Sequence, residues 1–207
     1  MSSNLIYNGD FSQPALTTDA SMFYTSFSQT QANQFYWTCN NLYVALTNGP
    51  TYYGWPDFSS LGYVQFVSLY QYSSIQQSFT VTQLGSYTLS FYYCARIGYP
   101  FDNFQIYING VLFDTITNSV SNWTLYTNTI NSLVLGVNSI LFLGQIAGGD
   151  VGIVGIKLYY GQSGVSPPLI TVQNNSFKST NFYGAISVYD YIPVSYTHLT
   201  LPTIYSV

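Results

Sequence analysis

Apolar residues recur along this chain at every second position rather than at every third or fourth. The plainest run is Tyr87, Leu89, Phe91 and Tyr93 alternating with Thr88, Ser90 and Tyr92, the pattern of a strand with one face buried. Phe104, Ile106 and Ile108 repeat it. Asn109-Gly110 supplies two residues that tolerate positive φ in a tight hairpin, and 111–116 returns as the partner strand. Further strands are expected over 41–46, 63–69, 74–82, 123–130, 138–145 and 152–160, separated by clusters of Gly, Pro, Asn and Ser. No helical periodicity competes with them. The pattern therefore predicts an all-β, antiparallel sandwich or barrel of Greek-key type, with Trp37 and Trp123, which fall within strand patterns, in its core.

The alternation stops near residue 161. Residues 162–168, Gln-Ser-Gly-Val-Ser-Pro-Pro, read as a linker, flexible and then stiff. The stretch after it, 169–193, opens with Leu-Ile-Thr-Val-Gln-Asn-Asn-Ser-Phe and echoes the first strand of the chain. It either begins a truncated second copy of the module or supplies a strand that packs elsewhere, including on a neighbour's open sheet, the route by which sandwich subunits build fibres. Residues 194–207 resemble a translated sequencing-adapter tail and are set apart from the fold.

Composition adds a surface to this picture. Of 207 residues, 47% are hydrophobic and 19% aromatic, enough to bury about two-thirds to three-quarters of the surface of one compact domain. Charged residues make up 5%, against about 25% in ordinary soluble proteins, so neutral groups, 22 tyrosines among them, do the solvating. Such a surface suits a binding or shell protein, and equally a lineage's amino-acid habit. The cations are Arg96, Lys157 and Lys178, too few to neutralise a phosphate backbone, which argues against nucleic acid as a partner. The N-terminus lacks the basic and apolar regions of a secretory signal, and no stretch is apolar enough to be expected to span a membrane.

The opening Asn4-Leu5-Ile6-Tyr7-Asn8-Gly9-Asp10-Phe11-Ser12 resembles the start of galactose-binding-domain-like jelly rolls, the fold of many carbohydrate-binding modules. The likeness continues through Ser78 to Val81, Gly85 to Phe91, Ile108-Asn109-Gly110, Trp123-Thr124 and a closing stretch from Val151 to Tyr159, and covers about residues 1–161. The Tyr- and Asn-rich style is similar to members encoded by giant viruses and environmental metagenomes. The resemblance implies an antiparallel jelly-roll β-sandwich that binds carbohydrate, on a virion or extracellular surface. It also implies a structural calcium near the first strand, held in relatives by an Asp where this chain has Val154. That leaves Asp10 and Asp150 as the nearby candidate ligands, too few for a cation that takes six to eight oxygens; Asp10 is expected instead to accept hydrogen bonds in a turn.

Candidate chemistry is sparse. The histidine, His198, lies in the adapter-like tail, and with no Glu in the chain a carboxylate pair must come from Asp residues such as Asp102 and Asp114, expected near opposite ends of a hairpin. Catalysis is therefore not expected. Cys39 and Cys94 read as small thiols on strands, and without a third Cys or a nearby His they do not form a zinc site.

Two loops stand out for binding: 48–57, with Tyr52, Tyr53, Trp55 and Asp57, and 96–103, with Arg96, Tyr99, Asp102 and Asn103. Their rings can stack on sugar faces while the polar groups pair with hydroxyls. The blander alternative is that Trp55 and Tyr99 plug the sandwich ends and Arg96 pairs with Asp102. The other function the sequence allows is that of a structural shell or fibre subunit assembling through 169–193.

Overall fold

The computed structural model describes residues 3–17, 21–40, 43–48, 54–101, 103–117, 120–146 and 149–161. The linker 162–168, the stretch 169–193 and the tail 194–207 lie outside the described residues. Among the described residues eleven strands run in chain order: β1 (Ser21–Phe23), β2 (Thr38–Cys39), β3 (Val44–Asn48), β4 (Gln65–Tyr70), β5 (Ser74–Val81), β6 (Tyr87–Ala95), β7 (Phe104–Ile108), β8 (Val111–Ile116), β9 (Thr124–Ile130), β10 (Gly136–Gly144) and β11 (Asp150–Tyr160). They form two antiparallel sheets, β1-β3-β4-β11-β6-β9 and β2-β5-β10-β7-β8, packed as a jelly-roll β-sandwich.

The alternation read from sequence is the packing itself. Leu89, Phe91 and Tyr93 of β6 turn inward, and Phe91 meets Phe142 of the opposite sheet edge-to-face at 5.2 Å and Phe104 at 6.1 Å. The hairpin at Asn109-Gly110 forms as expected, with φ of 52° and 77° and Ile108 paired to Val111. Trp37 is buried against Phe142, and Trp123 is partly buried.

One expectation fails. Residues 29–35 form a helix, α1 (Gln29–Phe35), although no helical periodicity competes with the strands. Its start is chemical rather than periodic: the Gln31 amide donates to Ser28 Oγ and the Ser28 amide donates to Gln31 Oε1, a reciprocal capping box. The helix is short and uncharged, and it is held through Phe35, which packs on Phe11, Tyr24 and Phe27.

A second apolar layer lies outside the six-stranded sheet. Val67 and Ile153 pair across β4 and β11 and point to the core, so their neighbours Phe66 and Gly152 point outward. There Phe66 meets Trp55, Phe58 and Trp123 at 5.1–5.2 Å. Gly152 makes room for this: a Cβ on it would come within 2.9 Å of Trp123 and 3.0 Å of Trp55.

The thiols of Cys39 and Cys94 are free. Burial pushes Cys39 up to about 12 and raises Cys94 as well, so neither is a thiolate at neutral pH.

Candidate functional site

The two loops singled out by sequence meet. The Ile97 amide donates to Gly54 O at 2.9 Å, which fastens the 96–101 segment to the start of the Trp55 segment. The same segment is tied to the start of β11, where the Asp150 amide donates to Pro100 O at 3.0 Å and Phe101 bridges Asp150. The Gln71 amide donates to Gly149 O at 2.8 Å, bringing the β4–β5 turn to the same place.

Arg96 is the centre of this junction. Its Nη1 donates to Asp150 Oδ2 at 3.0 Å, and its guanidinium carbon lies 3.9 Å from the Tyr99 ring centroid and 5.9 Å from that of Trp55. An Arg held by a carboxylate and two rings is fixed in orientation. Beside it a depression of about 240 Å³ is lined by Ser21, Phe23, Tyr70 and Arg96. The Phe23 and Tyr70 rings pack at 5.9 Å. Phe23 is 43% exposed and Tyr99 50% exposed, so one ring that lines the depression and one stacked on the guanidinium both reach the protein surface.

Burial lifts the Asp150 carboxyl above the ordinary aspartate value, with Arg96 pulling the other way. Tyr70 is raised chiefly by its own burial. The Trp55 indole N–H lies close enough to favour the ionised Tyr70 hydroxyl, yet it is buried and makes no hydrogen bond among the described residues.

Several sequence candidates take other roles. Trp55, at 2% exposure, is not a surface platform; it is buried in the outer apolar layer against Phe66. Arg96 takes Asp150 as its ion-pair partner, whereas Asp102, the partner expected from sequence, lies outside the described residues, as do Tyr52 and Tyr53. Asp57 caps a turn by accepting from the Ser59 amide at 2.8 Å, a bond that lowers its pKa. Asn103 uses its backbone, its carbonyl accepting from the Gln145 amide at 2.8 Å.

The two metal candidates are not brought together. Asp10 accepts from the amide and hydroxyl of Ser12 in a turn beside Ile156, while Asp150 lies six residues back along β11, on the order of 20 Å away. Among the described residues no cluster of three His, Cys, Asp or Glu side chains could hold an ion.

Phe23, Ser21 and Tyr70 had no signal of their own in the sequence. They reach the site by register: Ser21 pairs with Thr47 and Phe23 with Ala45 across β1 and β3, and Asp150 pairs with Tyr70 across β11 and β4.

No protein-family model matches the sequence, and no curated protein is significantly similar to it. Among solved structures the chain is similar to the carbohydrate-binding module TmCBM61 in complex with β-1,4-galactotriose (14% identity, 76% of this chain and 99% of that one, TM-score 0.49). It is also similar to a family 35 carbohydrate-binding module from Clostridium thermocellum (17% identity, 69% and 99%, TM-score 0.45). A third likeness is to the enzymatically active domain of tailspike protein 4 of bacteriophage CBA120 (13% identity, TM-score 0.46), where 75% of this chain spans only 21% of the tailspike chain. At such scores the likenesses carry no argument about the site, whose reading rests on its own residues.

Proposed function

We propose that this chain is a non-catalytic carbohydrate-binding module that recognises a neutral glycan on the outer face of its six-stranded sheet. The observation that carries the reading is the Arg96 guanidinium, held by Asp150 and stacked on the half-exposed Tyr99 ring, at the wall of a depression that the exposed Phe23 ring also lines. The C–H face of a pyranose stacks on such rings, which Arg96 helps to hold in place, and its hydroxyls pair with Ser21. Because Arg96 and Asp150 together carry no net charge, the site favours neutral sugars over acidic ones. The described aspartates support a non-catalytic role: Asp10, Asp57, Asp114 and Asp150 each accept hydrogen bonds from neighbouring groups of the fold. Display on a virion or extracellular surface is part of the proposal, supported by the low charge and abundant tyrosine of the chain.

The test is calorimetric titration with the glycans that a glycan array selects. Tyr99→Ala and Phe23→Ala, both at exposed rings, are expected to weaken binding by about five- to tenfold without unfolding the protein. Arg96→Ala is a poorer probe, since leaving Asp150 buried without this partner costs roughly 3 kcal/mol of stability. Unchanged affinity in both ring variants would remove the site.

The raised value of Asp150 gives a pH signature. A group whose folded pKa exceeds its unfolded one contributes stability that is fully present below the unfolded value and lost as pH rises through the folded value. Acidification therefore neutralises Asp150 without a loss of fold stability from this group, while it removes the charge that orients Arg96. Affinity is expected to fall at a pH where the melting temperature still holds, as titrations and thermal scans at matched pH would show. Affinity that stays flat until the protein itself unfolds would contradict this.

A second reading, a subunit that assembles through 169–193, is favoured by the edge strand β8, whose Val111 and Leu112 are exposed and which carries no Lys or Pro to discourage pairing. Light scattering on the full chain and on a version ending at residue 162 separates the two. Equal monomers are expected for a binding module; assembly lost on truncation would favour the subunit.

A further inference from the structure

A cavity lies away from Arg96. It measures about 470 Å³ and runs between the opening segment of the chain and the outer face of β5 and β10, lined by Asn4, Tyr7, Ser78, Thr80 and Val137 among others. At its rim the Tyr7 ring, 66% exposed, stacks on the Tyr36 ring, 59% exposed, at 6.1 Å and 26°. Neither ring serves the core.

The fold nevertheless holds both tyrosines with care. Along the inward row of β5, Ile75, Phe79 and Val81 are apolar, but Gln77 is not. The Tyr7 amide donates to Gln77 Oε1 at 2.8 Å, and Gln77 Nε2 donates to Tyr7 O at 2.8 Å and Tyr36 O at 3.1 Å. One buried amide thus fixes the backbones of both residues. Tyr36 stands at the C-terminus of α1 with φ of 63°, a left-handed conformation that an aromatic residue rarely adopts. Asn8, also at positive φ, locks this junction by donating to Phe35 O at 2.8 Å, and the Trp37 indole donates to Asn8 O. A strained backbone held by a buried polar group, with its two rings left in solvent, is an arrangement in which packing alone gives the rings no role.

We infer that Tyr7, backed by Tyr36, is the stacking platform of a second carbohydrate site, and that the chain therefore holds a glycan at two places. The cavity falls in the roughly 300–1,000 Å³ range of ligand pockets. Its lining carries no charged side chain, so the ligand is a neutral sugar. A sugar ring lies on the outer face of Tyr7, and the hydroxyls of Ser78 and Thr80, on the exposed side of β5, reach its polar edge. The side chain of Asn4 is committed elsewhere, its Oδ1 accepting from the amides of Ile6 and Leu158, and serves to hold the wall. This site is independent of the one at Arg96 and stands if that one fails.

The test uses the full chain carrying Phe23→Ala and Tyr99→Ala, which disables the first site. It is titrated with neutral β-linked tetrasaccharides of galactose, glucose and xylose while backbone amide resonances are followed by NMR. Saturable shifts at Tyr7, Ser78, Thr80 and Val137 are expected with at least one of the three. Adding Tyr7→Ala should weaken that binding by about tenfold, whereas Tyr7→Phe should keep it. The Tyr7 side chain is exposed and its backbone does the anchoring, so both variants should keep the dispersed spectrum of a folded protein. No shifts at these residues with any of the three sugars, or shifts that Tyr7→Ala leaves unchanged, would overturn the inference. Shifts at Phe23 and Tyr99 in the unmodified chain report on the first site separately.

Discussion

Phe142→Ala is expected to destabilise the protein by about 3–5 kcal/mol. Phe142 is fully buried on β10, with Trp37 at 6.2 Å on its own side of the sandwich and Phe91 of the opposite sheet set edge-to-face at 5.2 Å. Truncation removes the area of an aromatic ring from the core and leaves a cavity between rigid rings that cannot collapse into it. Since whole domains are stable by only about 5–15 kcal/mol, the variant is expected to lie near or below its unfolding threshold at room temperature. Urea unfolding would show a large fall in the midpoint with little change in slope. A loss under about 1 kcal/mol would mean that the two sheets do not share this aromatic core.

Gly9→Ala is the second large effect, and it arises from space rather than from backbone freedom. A Cβ at residue 9 would lie 2.0 Å from the carbonyl oxygen of Ile156, a backbone atom that cannot swing aside. To accept it, the opening segment must withdraw from β11, which breaks the hydrogen bond from the Ile156 amide to Gly9 O at 2.8 Å and strains that from the Leu5 amide to Leu158 O at 3.0 Å. A stability loss of about 2–4 kcal/mol is expected, measurable as a lowered urea midpoint. Gly62→Ala is the control. Gly62 has φ of 77° and open space around it, so only the left-handed backbone penalty of about 1 kcal/mol applies. Equal losses in the two variants would show that the opening segment is not clamped to β11.

These effects also explain which parts of the molecule could be read from its sequence. Period-two alternation is local and marks strands that bury one face, such as β5 and β7, while short apolar runs between turn residues marked β3, β4 and β11, which are buried along nearly their whole length. The Asn109-Gly110 hairpin was legible for the same reason: its turn and register depend on neighbours in the chain. Gly9 was legible only as a letter in the Asn-Gly-Asp-Phe turn; the reason for it, the Ile156 carbonyl, lies 147 residues away. The helix at 29–35 was missed although Ser28 and Gln31 announce its start, since seven residues are too few for a periodic pattern.

The candidate site was legible in part. Aromatics and Arg crowd into two turn-rich loops in the sequence, and the loops do meet at Gly54 and Ile97. Of the two alternatives that the sequence left open for Trp55, an exposed platform or a buried plug, burial is the one that holds. Trp55 is buried because Gly152, on a strand nearly a hundred residues later, leaves space above the sheet for an indole. Asp150 and Phe23 became site residues through strand register, which no spacing in the sequence records. The paired rings of Tyr7 and Tyr36, 29 residues apart, depend likewise on the reach of Gln77 from a third segment.

The most direct test of the central claim is a glycan array probed with the full chain beside its Phe23→Ala, Tyr99→Ala double variant. The account predicts that the unmodified chain binds a subset of neutral glycans and prefers them to acidic ones, and that the double variant loses signal on that subset. A chain that binds no glycan, or a double variant whose pattern and intensity match the unmodified chain, would contradict it.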